Sequence, residues 1–316
     1  MKTTNRFSLA VSAALALSAC TFTTHPTRAE RPTATKAPAS WAEALQGPVT
    51  LEWEPVVSAR WKVERAGLVN LERPEAKDLP RDEVDIVLPI HVLRHPTRGT
   101  FIIDTGVSQS LTDGQGGGVT WPVSTFTASM KPETSLKAVL ARQPTPLSGV
   151  LFTHLHLDHV LGLPDVPAGT PLYTGPGETT PTSFQNLFLR ATYSNLFAGQ
   201  SPTTELDISA GVRVGEVERA IDFFGDGSLW VIAAPGHTPG SLAFLARTAQ
   251  GPVLFAGDTC HTRWGWEHQV EPGTFTGDHA QNRASLAQLA SLTKALPGLT
   301  VLTGHEIEPA PAVAQR

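Results

Sequence analysis

A layered α/β fold is what this 316-residue sequence predicts, on three observations. Short apolar runs of strand character alternate with stretches of helical spacing, the pattern of sheets covered by helices. The strand-like runs stop at Asp, Gly or His, so the polar residues gather where strands end. Apolar residues make up 41% of the chain and charged residues 17%, the balance of a chain that buries a sizeable core. The length suits one large domain or two ordinary ones, and no internal repeat is visible.

The N-terminus carries an export pattern. Lys2 and Arg6 form a basic region and Phe7 to Ala16 an apolar one, so residues 1–19 read as a signal peptide. The run Leu17-Ser18-Ala19-Cys20 resembles the lipobox of bacterial lipoproteins, which implies cleavage before Cys20 and lipidation of its thiol. An ordinary secretory signal with a chance cysteine is the alternative. On the lipoprotein reading the chain is exported and membrane-anchored, facing the periplasm or the cell exterior. Losing residues 1–19 removes two basic residues and no acidic one, taking the formal net charge from −5 to −7. Residues 20–45, rich in Thr, Pro and Ala, are expected to be a flexible tether. Residues 46–308 then form the folded domain and 309–316 a frayed tail. No later apolar run is long enough to span a bilayer. The acidic balance, without any Lys/Arg cluster, argues against nucleic acid as a partner.

In order, Val84 to Val92 and Thr100 to Ile103 are predicted strands, the second ending in Asp104-Thr105-Gly106. Asp104 is either a carboxylate orienting a metal-binding His or a strand-to-loop turn. The glycine-rich run 113–118 lacks the Gly-Lys-Ser/Thr of a phosphate cradle. Ser135 to Arg142 has helical character, and Gly149 to Phe152 is a strand. A helix is expected from Ser183 to Phe197. Its apolar residues, Tyr193 among them, suit plain packing, with an apolar lid or homodimer contact as the alternative. Strands are expected at Val212–Val217, Leu229–Ala233, Leu242–Leu245, Val253–Ala256 and Thr300–Thr303, and a helix at Asp278–Leu296.

The stretch Thr153-His154-Leu155-His156-Leu157-Asp158-His159 carries the chemistry. In extended backbone His154 and His156 point to one side and Leu155 and Leu157 to the other. A turn into helix at Asp158 brings that residue and His159 back to the same point. Imidazole and carboxylate are the ligands of zinc and its first-row neighbours, and cores rarely hold so many without a metal. Three more candidates follow strands: His237 in Pro235-Gly236-His237-Thr238-Pro239-Gly240, Asp258 in Gly257-Asp258-Thr259-Cys260-His261, and His305 after Gly304.

Together these residues resemble the metallo-β-lactamase superfamily, over roughly residues 50–308. The matching pattern is His-x-His-x-Asp-His at 154–159, then His237, Asp258 and His305 in that order, with Asp104-Thr105-Gly106 and Gly236 to Gly240 in support. The resemblance implies an αββα four-layer sandwich with two zinc ions at one sheet edge, although other divalent metals suit the same ligands. It gives His154, His156 and His237 to one zinc, Asp158, His159 and His305 to the other, and Asp258 to both. Seven ligands exceed what one four-coordinate zinc takes.

A bridging hydroxide would be the nucleophile on a small-molecule lactone or ester, acyl homoserine lactones being one candidate class, with Asp158 helping to shuttle the proton. His156 stands where the di-iron redox members typically carry Glu, which favours hydrolysis. The lactonase branch usually has Tyr three residues after the bridging Asp, whereas this chain has His261. That likens it to methyl-parathion-hydrolase-like members, so phosphotriester hydrolysis is the alternative reaction. His261 is then either a proton donor to the leaving group or a structural cap of its loop. Cys260 is expected to pack, and Trp264 and Trp266 either wall an apolar substrate pocket or are plain buried loop tryptophans. A lipid-tethered metal-binding protein without catalysis would need a broken ligand set, and all seven candidates are present.

Overall fold

Side chains alternate across a strand, so a strand buried on both faces feeds two cores at once. The computed structural model, which describes residues 22–30, 36–180 and 186–309, shows two such sheets. The first holds β1 (Thr27–Glu30), β2 (Glu52–Glu64), β3 (Glu83–His95), β4 (Gly99–Ile103), β5 (Lys131–Pro132), β6 (Leu147–Leu151), β7 (Leu172–Thr174) and β8 (Thr203–Leu206). The second holds β9 (Val212–Val214), β10 (Val217–Asp222), β11 (Leu229–Ala233), β12 (Leu242–Thr248), β13 (Gly251–Phe255) and β14 (Thr300–Leu302). The first sheet runs β1-β8-β7-β6-β4-β3-β2-β5 and the second β14-β13-β12-β11-β10-β9. Pairing is parallel from β1 through to β4 and between β13 and β14, and antiparallel elsewhere.

The alternation shows in the cores. Phe101 and Ile103 of β4, Leu151 of β6, Val231 of β11, Phe244 of β12 and Phe255 of β13 meet between the sheets. Their neighbours Ile102 and Val150 face outward into a second core. Trp230, Ile232, Ala243, Leu245 and Leu254 face a third. Nine helices among the described residues supply the outer layers: α1 (Trp41–Ala44), α2 (Arg65–Leu68), α3 (Gln109–Thr112), α4 (Val123–Phe126), α5 (Leu136–Ala141), α6 (Leu157–Val160), α7 (Asn186–Leu196), α8 (Arg263–His268) and α9 (His279–Ala295). Leu136 and Val139 of α5 and Tyr193 and Leu196 of α7 cover the first sheet. Leu286, Leu289 and Leu292, one helical stripe of α9, cover the second. Asp278 caps α9 by accepting from the Gln281 N–H, which fixes where that helix starts. The result is the αββα sandwich, with an α/β layer on each side.

Two expectations need correction. For its described part, the stretch 20–45 is not a tether. Thr27–Glu30 pairs with Thr203–Leu206, Phe22 packs against Tyr193 with ring centroids 4.6 Å apart, and Trp41 packs edge-on against Trp230. β1 is held through its backbone while its side chains stay exposed, so composition carries no trace of it. The single strand expected at Val212–Val217 is a hairpin, because Gly215 turns the chain with φ of +57°. The helix expected from Ser183 is described from Asn186 onward. Ser183, the signal peptide of residues 1–19, Cys20 and the end of the tail lie outside the described residues.

Candidate metal centre

Five strands of the two sheets end at the same edge of the sandwich, and each delivers a polar residue there. β4 leads into Asp104, β6 into His154, β11 into the loop holding His237, β13 into Asp258 and β14 into His305. The β6 run behaves as its spacing predicts. His156 is still extended, with φ −66° and ψ 157°, and α6 starts immediately after it. Leu155 is buried in the core, while Asp158 and His159 fold back to the site.

All seven candidate ligands converge, and Asp258 lies at their centre. Its Oδ2 is 3.3 Å from Nε2 of His159, 3.3 Å from His305, 3.5 Å from His237 and 3.6 Å from His154. His237 Nε2 lies 2.9 Å from His156 Nδ1. Asp158 Oδ2 lies 3.4 Å from His305 Nε2 and 3.7 Å from His159 Nε2. Ligand atoms of His154, His156 and His237 fall within 4.8 Å of one another, as do those of Asp158, His159 and His305. The fit to a metal rests on orphaned atoms. His154 Nε2, His159 Nε2 and Asp258 Oδ1 are buried without a hydrogen-bond partner, which a fold tolerates where a cation supplies the missing contact.

Outer partners aim these rings. Asp104, at φ +57°, accepts from the Thr153 N–H and hydroxyl and lies 2.8 Å from His159 Nδ1. It is therefore both the strand-end turn and the carboxylate that orients a histidine. His305 Nδ1 lies 3.1 Å from the Val87 carbonyl, and His237 Nδ1 is 3.4 Å from the Thr276 hydroxyl. Burial, reinforced by neighbouring imidazoles, holds His154 and His237 well below the usual histidine range; burial takes His156 down to about 4 against the pull of Asp158 and Asp258. Burial also works to lower His159 and His305, but the carboxylates around them, Asp258 foremost, hold both above it.

His261 is buried, with Nε2 3.0 Å from Asp258 Oδ2, and its ring lies about equally near those of His237 and His305. It acts on Asp258 directly, a position that neither sequence-based expectation for it anticipated. Its Nδ1 is buried without a hydrogen-bond partner. Cys260 packs, donating its thiol to the Thr262 carbonyl. Trp266 is fully buried in the core beneath the second sheet. Trp264, with Leu68, Val69 and Ile86, lines a cavity of about 120 Å³ beside Thr262 and Glu306, which follow His261 and His305. A larger cavity, about 780 Å³, lies at the opposite end of the strands, by Ser148 and Phe223, and contains none of the candidate ligands.

Sequence reasoning missed two supports. Glu178 is buried and accepts from the Leu155 N–H, the Gly240 N–H and the Thr238 hydroxyl, binding the β6 ligand loop to the loop of His237. Tyr193 donates its hydroxyl to the Leu155 carbonyl at 2.7 Å, so α7 also steadies that loop. Glu178 is one of very few charged residues between Pro164 and Ser201, which is the one signal that pointed to it.

Residues 89–305 match the family described as the metallo-beta-lactamase superfamily. The chain belongs to the metallo-β-lactamase superfamily. Among relatives of this superfamily member, an N-acyl homoserine lactonase AttM from Azorhizobium caulinodans is 30% identical, covering 71% of this chain and 83% of its own. A namesake from Agrobacterium fabrum is 27% identical over the same shares. An N-acyl homoserine lactone hydrolase solved with N-hexanoyl-L-homoserine at its catalytic metal centre superimposes with a TM-score of 0.56 at 18% identity. That match covers 82% of this chain and 94% of the other. The dizinc quorum-quenching lactonase AidC gives 0.51 at 15% identity, covering 84% and 90%. These structures share the fold.

Proposed function

We infer that this metal-dependent hydrolase of ester bonds is a dinuclear zinc lactonase whose substrates include N-acyl homoserine lactones. The observation that carries the reading is the pair of ligand triads meeting at Asp258, in a chain whose lactonase relative aligns over most of both lengths. In this reading His154, His156 and His237 hold one zinc, Asp158, His159 and His305 the second, and Asp258 contacts both. Bound there, the two metals supply Lewis acidity and make hydroxide available near neutral pH.

The chain's own residues do the rest. Asp104 and the Val87 carbonyl fix the tautomers of His159 and His305, so that each presents Nε2 inward. Asp158 is the less buried of the two site carboxylates and takes and returns the proton. His261 holds Asp258 Oδ2 in place. The cavity by Trp264, which Arg65, Asp85 and Glu306 line together with Leu68, Val69 and Ile86, accommodates the non-reacting part of a substrate. In this reading the export pattern of residues 1–20 supports an activity outside the cytoplasm, on a membrane reached through a lipidated Cys20.

Purified chain loaded with two equivalents of zinc should open an acyl homoserine lactone ring, followed as acid release. Loaded protein inert toward lactones and aryl esters alike would sink the reading. Phosphotriester hydrolysis is the second reading, favoured by an imidazole, not a phenol, three residues after Asp258. Relative rates on a lactone and an aryl phosphotriester separate the two.

A further inference from the structure

Four large apolar side chains, none of them a candidate ligand, form an exposed group. Trp121 is 78% exposed, Phe126 69%, Phe188 48% and Leu187 42%. The first two flank or end α4 and the others start α7, and the two segments are bound together. Thr120 hydrogen-bonds Thr192 through its N–H and its hydroxyl, and the Asn195 amide donates to the Gly118 carbonyl. Such a cluster on one face of a folded domain points to something that covers it.

Charge narrows the choice. Residues 114–130 contain no charged side chain, and α7 contains one, Arg190. On a chain of net charge −5, this face therefore carries no acidic group from either segment. It is a surface an anionic bilayer would not repel, and aromatic side chains among small polar ones are what the lipid headgroup region accommodates.

The path of the N-terminal segment narrows it further. His25 packs against Phe197 and Phe22 against Tyr193, so going back toward the N-terminus the chain runs along α7 from its end toward its start. Cys20 is two residues beyond Phe22, at most about 7 Å of chain. From Tyr193 to Phe188 is five helical residues, about 7.5 Å along the axis. Phe22 therefore brings the described chain along α7 toward Leu187 and Phe188, and Cys20 is only two residues further back in sequence.

We propose that the face of Trp121, Phe126, Leu187 and Phe188 rests on the lipid bilayer into which Cys20 is anchored. The proposal depends on the lipoprotein reading of the N-terminus. Lipid and aromatic face act as two signals on one side of the molecule, and together they orient it, where a lipid on a long tether would leave it free to tumble.

The test uses the full chain, processed in a bacterial host and reconstituted into vesicles of phosphatidylethanolamine and phosphatidylglycerol, with brominated acyl chains in one set. Intact mass first reports whether Cys20 bears lipid. Of the seven tryptophans Trp121 alone is exposed, so brominated lipid should quench wild-type fluorescence and Trp121→Phe should remove most of that quenching. Phe126→Glu keeps the reporter and should cut its quenching at least about twofold. Equal quenching in Trp121→Phe and wild type overturns the proposal. So does protection of Trp121 that follows protein concentration in detergent, which assigns the face to a second copy. Unlipidated Cys20 overturns the anchor reading and the proposal together, whereas a lipidated chain without Trp121 quenching overturns the docking face alone.

Discussion

The two ligand triads share one carboxylate and one sheet edge, yet burial has opposite outcomes in them. His154 and His237 have mostly imidazoles for neighbours and lie well below the usual histidine range, while burial takes His156 down to about 4 against Asp158 and Asp258. His159 stands against Asp258, Asp104 and Asp158, and His305 against Asp258 and Asp158, and these carboxylates hold both rings above that range despite burial. A third region calibrates both: His91 of β3 packs on Phe255 and accepts from the Trp53 indole N–H, and burial pushes it down to about 3. Among candidate ligands buried alike, carboxylates as close as Asp258 and Asp104 are to His159 outweigh burial, whereas those near His156 do not.

The comparison can be broken in several ways, the largest effect first. Asp258→Ala removes what the triads share and should lower kcat/KM by roughly 10³-fold or more, several kcal/mol of lost stabilisation. A variant retaining activity would mean that the triads work independently. Asp104→Asn should weaken zinc at the His159 triad about 10- to 100-fold and leave the other unchanged, as resolved by calorimetric titration. The same titration on wild-type protein should find zinc affinity at the His159 triad rising more steeply with pH than at the other, because His159 and His305, held above the usual histidine range, must release protons to take a metal. An equal pH dependence at both triads would show that the carboxylates do not set the difference.

His91 predicts stability rather than binding. Its folded pKa lies below its unfolded one, so its contribution is complete above about pH 6.5 and is lost as pH falls toward 3. Between pH 7 and pH 5 that loss is about 2 kcal/mol, which His91→Phe should abolish in denaturant titrations. Glu178→Gln replaces an acceptor by a donor between the two ligand loops and should cost about 1 kcal/mol of stability, with a smaller fall in kcat.

Much of this was legible because the informative residues are adjacent or follow strands. The 154–159 run announces itself, and His237, Asp258 and His305 each follow an apolar run that could only be a strand. The alternation that splits Ile102 from Phe101 and Ile103 is present in sequence as well. What stayed hidden works through backbone or across distance. Glu178 accepts from two main-chain N–H groups, one of them 62 residues away in Gly240, and no side-chain pattern encodes that. Trp264 and Trp266 are two apart in one short helix, yet one lines a cavity and the other is in the core; only the helix's docking decides which. β1 has exposed side chains throughout, so only its ladder with β8 reveals it.

That ladder has a consequence for assembly. β1 pairs with a strand 176 residues later, so the loop it closes is among the longest in the molecule. Long loops close slowly, and until β8 has joined β7 there is no edge for Thr27 to Glu30 to join. The first strand of the chain is therefore expected to be among the last to settle. Once in place, its Arg28 and Glu30 put charge on what is otherwise an open sheet edge, discouraging further strands from adding to it.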